Sequence, residues 1–315
     1  MAGINAQAIK ELRDRTQAGM SDCKSALAEA EGDMDKAIEI ILKKGLAKSA
    51  KKASAAATEG EVRASVSADR RSATMVEVNI QTDFAARNDH FRAFVGQVLA
   101  VAETAPDGAE IAQVKIGDKA VSEMAVELTA RIGEKIEARR WAKVSVPEGK
   151  HGVCTAYVHL GGKIGVIVSV ETDTAEVAAH PEVQKFVDDT AMQAAAMSPV
   201  ALRREDITDD VKAKQKEIFE GQLREDPKPK PEAAWPKIIE GKFNKWYSEA
   251  VLLEQESVEA ASRGETLTIT KLAEAAGKAA GGTVTVTRFV RFERGEGVAK
   301  KEDDFAAEVA KMAGG

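Results

Sequence analysis

The chain repeats itself. Residues 78–85 read Val-Asn-Ile-Gln-Thr-Asp-Phe-Ala, and 168–175 read Val-Ser-Val-Glu-Thr-Asp-Thr-Ala. An internal repeat constrains a fold strongly, because any unit that accounts for the first copy must also account for the second. Each copy is preceded by a strand-like stretch, at 61–68 and 152–160. Each is followed by a helix-type stretch, near 89–103 and 176–197. A further strand closes each unit, at 135–146 and 283–292. There Ile136-Glu137-Ala138-Arg139-Arg140-Trp141 compares with Val284-Thr285-Val286-Thr287-Arg288-Phe289. The expectation is an α+β chain with two similar core subdomains, each a strand–strand–helices–strand unit with an antiparallel sheet.

Within the first copy, Val78 and Ile80 alternate with Asn79 and Gln81, the period of a half-buried strand. Thr82 or Asp83 can then cap a helix by accepting its orphan backbone N–H bonds. Phe84 falls in the first helical turn. Its side chain either fills the core or stands out as an aromatic wedge beside a carboxylate. Read in register, Thr172-Asp173 of the second copy matches Thr82-Asp83, and Thr174 stands where the first copy has Phe84. The cap is then shared scaffold and the aromatic is what differs, which favours a specific role for Phe84.

The 315 residues suffice for about two domains. With 44% hydrophobic and 30% charged residues the composition is that of an ordinary globular protein. A net charge of −6 speaks against broad nucleic-acid binding, which rests on dense Lys and Arg. The two cysteines, Cys23 and Cys154, stand far apart, outside disulfide-framework or zinc spacing. No apolar run resembles a signal peptide or membrane span, so the cytosol is the expected compartment.

Residues 1–44 read as a three-helix domain. Ala8 and Leu12 share a face with Ile4, and Ser21 or Asp22 is placed to cap the second helix. Met34, Ala37, Ile38, Ile41 and Leu42 line the third. A lysine-bearing linker is expected over 45–60, then core subdomains over 61–147 and 148–294. The second carries a helical-hairpin insertion, a coiled coil, over about 205–252. Its prolines at 227, 229 and 231 break the helix, and Trp235, Ile239, Phe243 and Trp246 recur at helical spacing. Val211 and Ile218 begin the facing stripe, and Pro236 must lie in the first turn of the second helix. A C-terminal helical module is expected over 295–315, with Phe305, Val309 and Met312 on one face.

Catalytic machinery is not in evidence. The sequence has no GxxxxGK[ST], no complete GxGxxG, no HExxH and no GxSxG. The four histidines are scattered, with no metal-ligand spacing. No catalytic residue, cofactor or metal is assigned, and a non-enzymatic role is expected.

Several ordered blocks carry a resemblance. They are Leu12-Arg13 with Thr16, Gly19-Met20, Asp22-Cys23-Lys24 and Ala26-Leu27; the run Glu77 to Arg87; Arg131-Ile132-Gly133-Glu134; Ile239-Glu240-Gly241-Lys242; Leu252-Leu253-Glu254-Gln255; Arg291-Phe292-Glu293; and Asp304-Phe305-Ala306-Ala307-Glu308-Val309. From end to end the chain resembles the bacterial elongation factor Ts family. Ala85 and Ile80 depart from the usual residues of the second block, and Glu256-Ser257-Val258-Glu259 replaces a more apolar run.

The resemblance implies a guanine-nucleotide exchange factor for elongation factor Tu, bound in its GDP-loaded and nucleotide-free forms. It implies a UBA-like N-terminal domain, two core subdomains, an inserted coiled coil and a C-terminal helix. Partner contacts then fall on Thr82, Asp83 and Phe84, on Ile132 and Gly133, on His159, on Lys10, Arg13, Met20 and Lys24, and on Val258. Membrane and direct nucleic-acid contacts are not expected, and the oligomeric state of the complex is open. Two other readings stand beside it: a binding scaffold that leaves the partner's nucleotide alone, and an RNA- or ribosome-associated protein using the lysines of 43–52.

Overall fold

The computed structural model describes residues 5–16, 18–52, 55–228 and 230–298. It opens with helices α1 (Ala6–Thr16), α2 (Met20–Glu29) and α3 (Met34–Lys52). Next come strands β1 (Glu59–Val66) and β2 (Ser72–Ile80), and helices α4 (Asp83–Ala86) and α5 (Asp89–Thr104). The two-residue strands β3 (Lys115–Ile116) and β4 (Lys119–Ala120), helix α6 (Val121–Ile132) and strand β5 (Ile136–Ser145) complete the first half. The second half holds β6 (His151–His159), β7 (Ile164–Thr172), α7 (Ala175–Ala179), α8 (Pro181–Met197), α9 (Asp209–Arg224), α10 (Trp235–Ala250), α11 (Val258–Ser262), α12 (Ile269–Ala280) and β8 (Val284–Glu293). The expected C-terminal helix at 303–312 lies outside the described residues.

Two antiparallel sheets carry the core, β1-β2-β5 and β6-β7-β8. Their details match. Glu59 pairs with Ile80 and His151 with Thr172; Ile80 pairs with Ile136 and Thr172 with Val284. The third strand bulges in both, at Arg139 and at Thr287, which the ladders skip. Gly60 and Gly152 hold equivalent places, and a Cβ at either would lie 2.1 Å from a β2 or β7 carbonyl oxygen, that of Val78 or Val170. Helices cover one face of each sheet. Val76, Val78 and Ile80 pack under Phe91, Phe94, Val95 and Val98 of α5, while Val166, Val168 and Val170 pack under Val183, Phe186 and Val187 of α8.

The other faces meet each other. Val62, Met75, Val144, Cys154, Ile167 and Phe292 form a shared core. The hairpin tips clasp the opposite sheet reciprocally. Val62 N donates to Gly162 O (2.8 Å) and Cys154 N to Arg70 O (2.7 Å); within each half, Val146 N donates to Arg71 O (2.8 Å) and Arg294 N to Lys163 O (2.9 Å). Each bond of one half has its counterpart in the other, so the halves are related by a local two-fold axis.

This equivalence corrects the repeat register. Strand pairings, bulges and caps align Ile80 with Thr172, Thr82 with Thr174 and Asn88 with His180. Thr172-Asp173 therefore does not match Thr82-Asp83. The sequence register was off by two residues, the smallest slip that leaves every strand side chain on its proper face. The second helical stretch is also divided, as the first is at Asn88: His180 caps a fresh helix, and Pro181, which lacks an N–H, takes its first position.

In the N-terminal helices, Leu12, Cys23, Ala26, Leu27, Ala37 and Ile41 close a small core. Neither Ser21 nor Asp22 caps α2: Gly19 holds the N-cap position with extended backbone, and the helix begins at Met20. The linker expected from 45 is helical for its first half, since α3 continues to Lys52. Glycine in a helix interior costs about 1 kcal/mol, but Gly45 is buried against α6. A Cβ there would stand 2.5 Å from Ala130 Cβ. The absent side chain lets the two helices touch, and this packing outweighs propensity.

Helices α9 and α10 pack on each other, with Pro236 in the first turn of α10. The seam is Phe219, Leu223 and Ile239, flanked by Trp235, Phe243 and Trp246. Val211 and Ile218 are exposed, so the α9 stripe expected at those positions is not the seam. Phe219 and Phe243 meet edge to face at 5.2 Å, which orients the seam around aromatic rings.

Candidate functional site

The corner between β2 and α4 is held from four sides. Thr82 has extended backbone, and its Oγ1 accepts from Ala85 N at 3.2 Å, closing the N-terminus of α4. The same hydroxyl donates to the Glu134 carboxylate, 2.8 Å from Oε1, and Thr82 N donates to Glu134 Oε2 at 3.0 Å. One residue back, Gln81 Oε1 accepts from Lys135 N at 2.9 Å. Ala85 is buried in the sheet–helix core, and Asn88 caps the following α5.

Out of this fixed corner stands Phe84, 85% exposed. The core-filling alternative is thereby excluded. A lone apolar residue on a surface is ordinary. An aromatic held outward by a cap, a carboxylate clasp and a buried neighbour is less so, because its position is set without any contact of its own. Asp83 is also exposed and pairs with Arg87 one helical turn on, at 3.2 Å. Thr82, not Asp83, is the cap, which leaves the Asp83 carboxylate at the surface.

The second half builds the same corner differently. Thr174 Oγ1 accepts from Val177 N at 3.3 Å, repeating the cap. Asp173 takes the place of Gln81 and accepts from Thr283 N at 2.6 Å. Glu176 stands at the position of Phe84, and Gly282 at that of Glu134. Proximity to its own backbone N–H and the Thr174 side chain holds the Glu176 carboxyl below the usual range.

The structure gathers some expected residues and not others. Ile132 ends α6 against the first core, and Gly133 turns the chain with φ +86° into Glu134, so both lie beside Thr82. His159 is exposed at the end of β6, stacked on Tyr157 at 5.8 Å with its Nδ1 2.8 Å from the tyrosine hydroxyl. Exposed Leu160 follows it in the turn. Lys10, Arg13, Met20 and Lys24 lie exposed on α1 and α2, and Val258, half exposed, opens α11. These last sets stand on elements apart from the Phe84 corner.

Sequence reading missed Glu77. It is fully buried in β2 and accepts from Arg139 Nη1 (3.0 Å), Arg140 Nε (2.5 Å) and Gly295 N (2.9 Å). Arg140 also stacks over Phe292, 4.2 Å from the ring centroid, and bonds Glu293 O and Glu296. A charged residue facing the core within a strand pattern was the available signal. The counterpart in the second half is neutral, with Ser169 and Thr287 hydroxyls 2.7 Å apart.

Among the described residues, no helix is long and apolar enough to cross a membrane, and no three His, Cys, Asp or Glu side chains gather in a metal-holding arrangement. Both cysteines are free and buried.

Comparison with known proteins agrees over the whole length. The family model described as elongation factor TS matches residues 81–296. An elongation factor Ts of Clostridium perfringens is 42% identical over 314 residues, covering 99% of both chains. That of Nitratiruptor is 45% identical over 309 residues, covering 98% of both. That of Symbiobacterium thermophilum is 42% identical over 316 residues, covering 100% of this chain and 99% of its own. With the relatives matching across both sheets and the Phe84 corner, the chain belongs to the elongation factor Ts family.

Proposed function

We propose that this chain is the guanine-nucleotide exchange factor of elongation factor Tu in the cytosol, and that it promotes GDP release by inserting Asp83 and Phe84 near the partner's magnesium and phosphate site. The observation that carries this reading is Phe84, 85% exposed on a capped and clasped support. Burying such a ring is worth about 1.5–3 kcal/mol, and a partner that can open to receive it gains that energy. No covalent chemistry is required.

An exchange factor works by binding better to the partner when its nucleotide site is empty. The coupling is reciprocal, so GDP weakens the factor by the ratio by which the factor weakens GDP. A wedge that displaces the partner's magnesium ligands removes the main counter-charge on the phosphates. Asp83 contributes a carboxylate whose present pairing with Arg87 is a surface ion pair, worth less than about 1 kcal/mol and easily exchanged. Ile132 and Gly133 continue the contact beside Thr82. His159 supplies a second contact from the other core half, and Val258 another. Lys10, Arg13, Met20 and Lys24 dock the UBA-like N-terminal helices.

The test is the release rate of fluorescent GDP from elongation factor Tu with the wild-type chain and with Phe84→Ala. Strong acceleration by wild type, mostly lost in a folded variant, supports the reading. Acceleration by both keeps exchange and moves the mechanism to other contacts. Acceleration by neither favours a binding scaffold.

A further inference from the structure

The clasp on Thr82 comes from outside the corner it holds. Glu134 lies just past α6, beyond the left-handed Gly133, whose N donates to Thr129 O at 2.8 Å. Thr129 Oγ1 in turn accepts from Ile136 N at 3.0 Å and donates to Ala125 O at 2.8 Å. The end of α6, the start of β5 and residue 134 are therefore fixed together. From this platform one carboxylate takes both the backbone N–H and the hydroxyl of Thr82. A charge-assisted pair of this kind fixes direction as well as distance.

The other half provides an internal control. Its corner has the same cap, but its carboxylates are arranged differently: Asp173, inside the corner, takes both the N–H and the hydroxyl of Thr283, the Thr174 hydroxyl has Glu176 beside it, and Gly282 stands where Glu134 does. The aromatic is missing there too, with Glu176 in its place. The acid at residue 134 and the exposed ring occur together in one half, and Gly282 and Glu176 take their places in the other. Thr174 starts its helix with no acid at the place of Glu134, so the turn does not require an acid at that place.

We infer that Glu134 is a positioning residue: by holding Thr82 through two bonds it sets the angle at which Phe84 is presented to elongation factor Tu. It acts through Phe84 and need not touch the partner. Since α3 packs on α6 at Gly45 and Ala130, the same helix that carries the clasp also seats the N-terminal module. This inference rests on the exchange reading above.

The test measures GDP release over a concentration series of the full chain, giving a maximal rate and a half-saturating concentration. The variants are Phe84→Ala, Glu134→Ala, Glu134→Gln and the Phe84→Ala/Glu134→Ala double. With melting temperature retained, Glu134→Ala is expected to lower the maximal rate about three- to tenfold. Glu134→Gln, which keeps one acceptor oxygen, falls between it and wild type. In the Phe84→Ala background the second substitution adds nothing, because the ring it positions is gone. Equal proportional losses in both backgrounds, or a wild-type maximal rate in Glu134→Gln and Glu134→Ala alike, overturn the inference. If Phe84→Ala slows release and the Glu134 variants do not, the inference alone falls. If Phe84→Ala releases GDP as wild type does, the wedge reading falls and takes the inference with it.

Discussion

The two core halves share strand order, bulges, caps and docking contacts, yet they spend their polar residues differently. At the bulge, the first half buries Glu77 between Arg139 and Arg140, where the second pairs Ser169 with Thr287. At the corner, the first half exposes Phe84 and clasps Thr82 from Glu134, where the second exposes Glu176 and reverses the clasp, with Asp173 holding Thr283. Sheet geometry therefore needs neither the buried charge nor the aromatic. The charged cluster has a separate task visible in its bonds: it draws the end of β8 and the segment after it, through Glu293 O, Gly295 N and Glu296, onto the first sheet.

The comparison breaks most easily at Glu77. Glu77→Ala leaves two guanidinium groups without their buried anion and is expected to cost about 3–5 kcal/mol in urea unfolding, against about 1 kcal/mol for Ser169→Ala. Transplanting the neutral pair, Glu77→Ser with Arg139→Thr, should cost less than Glu77→Ala; an equal cost would mean the sheet itself needs the charge. Next in size is Phe84→Ala, expected to lose about 2–4 kcal/mol of affinity for nucleotide-free elongation factor Tu in calorimetry. Glu176→Ala should change that affinity by less than about 0.5 kcal/mol, and an equal loss would abolish the distinction between the corners.

Removing the caps sharpens the contrast on a smaller scale. Thr82→Ala and Thr174→Ala each lose a cap worth about 1 kcal/mol, and Thr82→Ala should lose more, because the Glu134 clasp also loses its hydroxyl donor. A further effect, confined to alkaline pH, lies in the shared core. Burial pushes the Cys154 thiol from its ordinary 9.0 up to about 11. Its contribution to stability is complete below about 9 and is lost as the pH climbs toward about 11, because the unfolded chain ionises first. Cys154→Val, which copies the equivalent Val62, should remove this alkaline component from pH-dependent melting and leave neutral stability nearly unchanged.

The sequence disclosed elements better than their registration. Both sheets and the start of α10 at Pro236 follow from period and proline chemistry. The two-residue slip between the copies escaped because alternate strand positions are chemically alike, and only pairing partners distinguish them. Helix α3 outran its expected end because the benefit of Gly45 lies in a helix far along the chain. Phe84 was singled out from its position, but its exposure depended on Ala85 taking the core side of a four-residue helix. Glu77 and the Glu134 clasp needed partners more than fifty residues distant, which no local pattern encodes.

The Gly45–Ala130 contact also makes α3 a lever. Its fulcrum is a point where backbone meets methyl group, with no side chain on α3 to yield or repack. From there back to Met34 the helix runs about 16 Å at 1.5 Å per residue, and the other two N-terminal helices are packed on that arm. A single added carbon at residue 45 would push the fulcrum out by about one bond length and swing the load at the far end further still. The placement of the exposed Lys10, Arg13, Met20 and Lys24 is thus set by an atom that is missing from a residue on another helix.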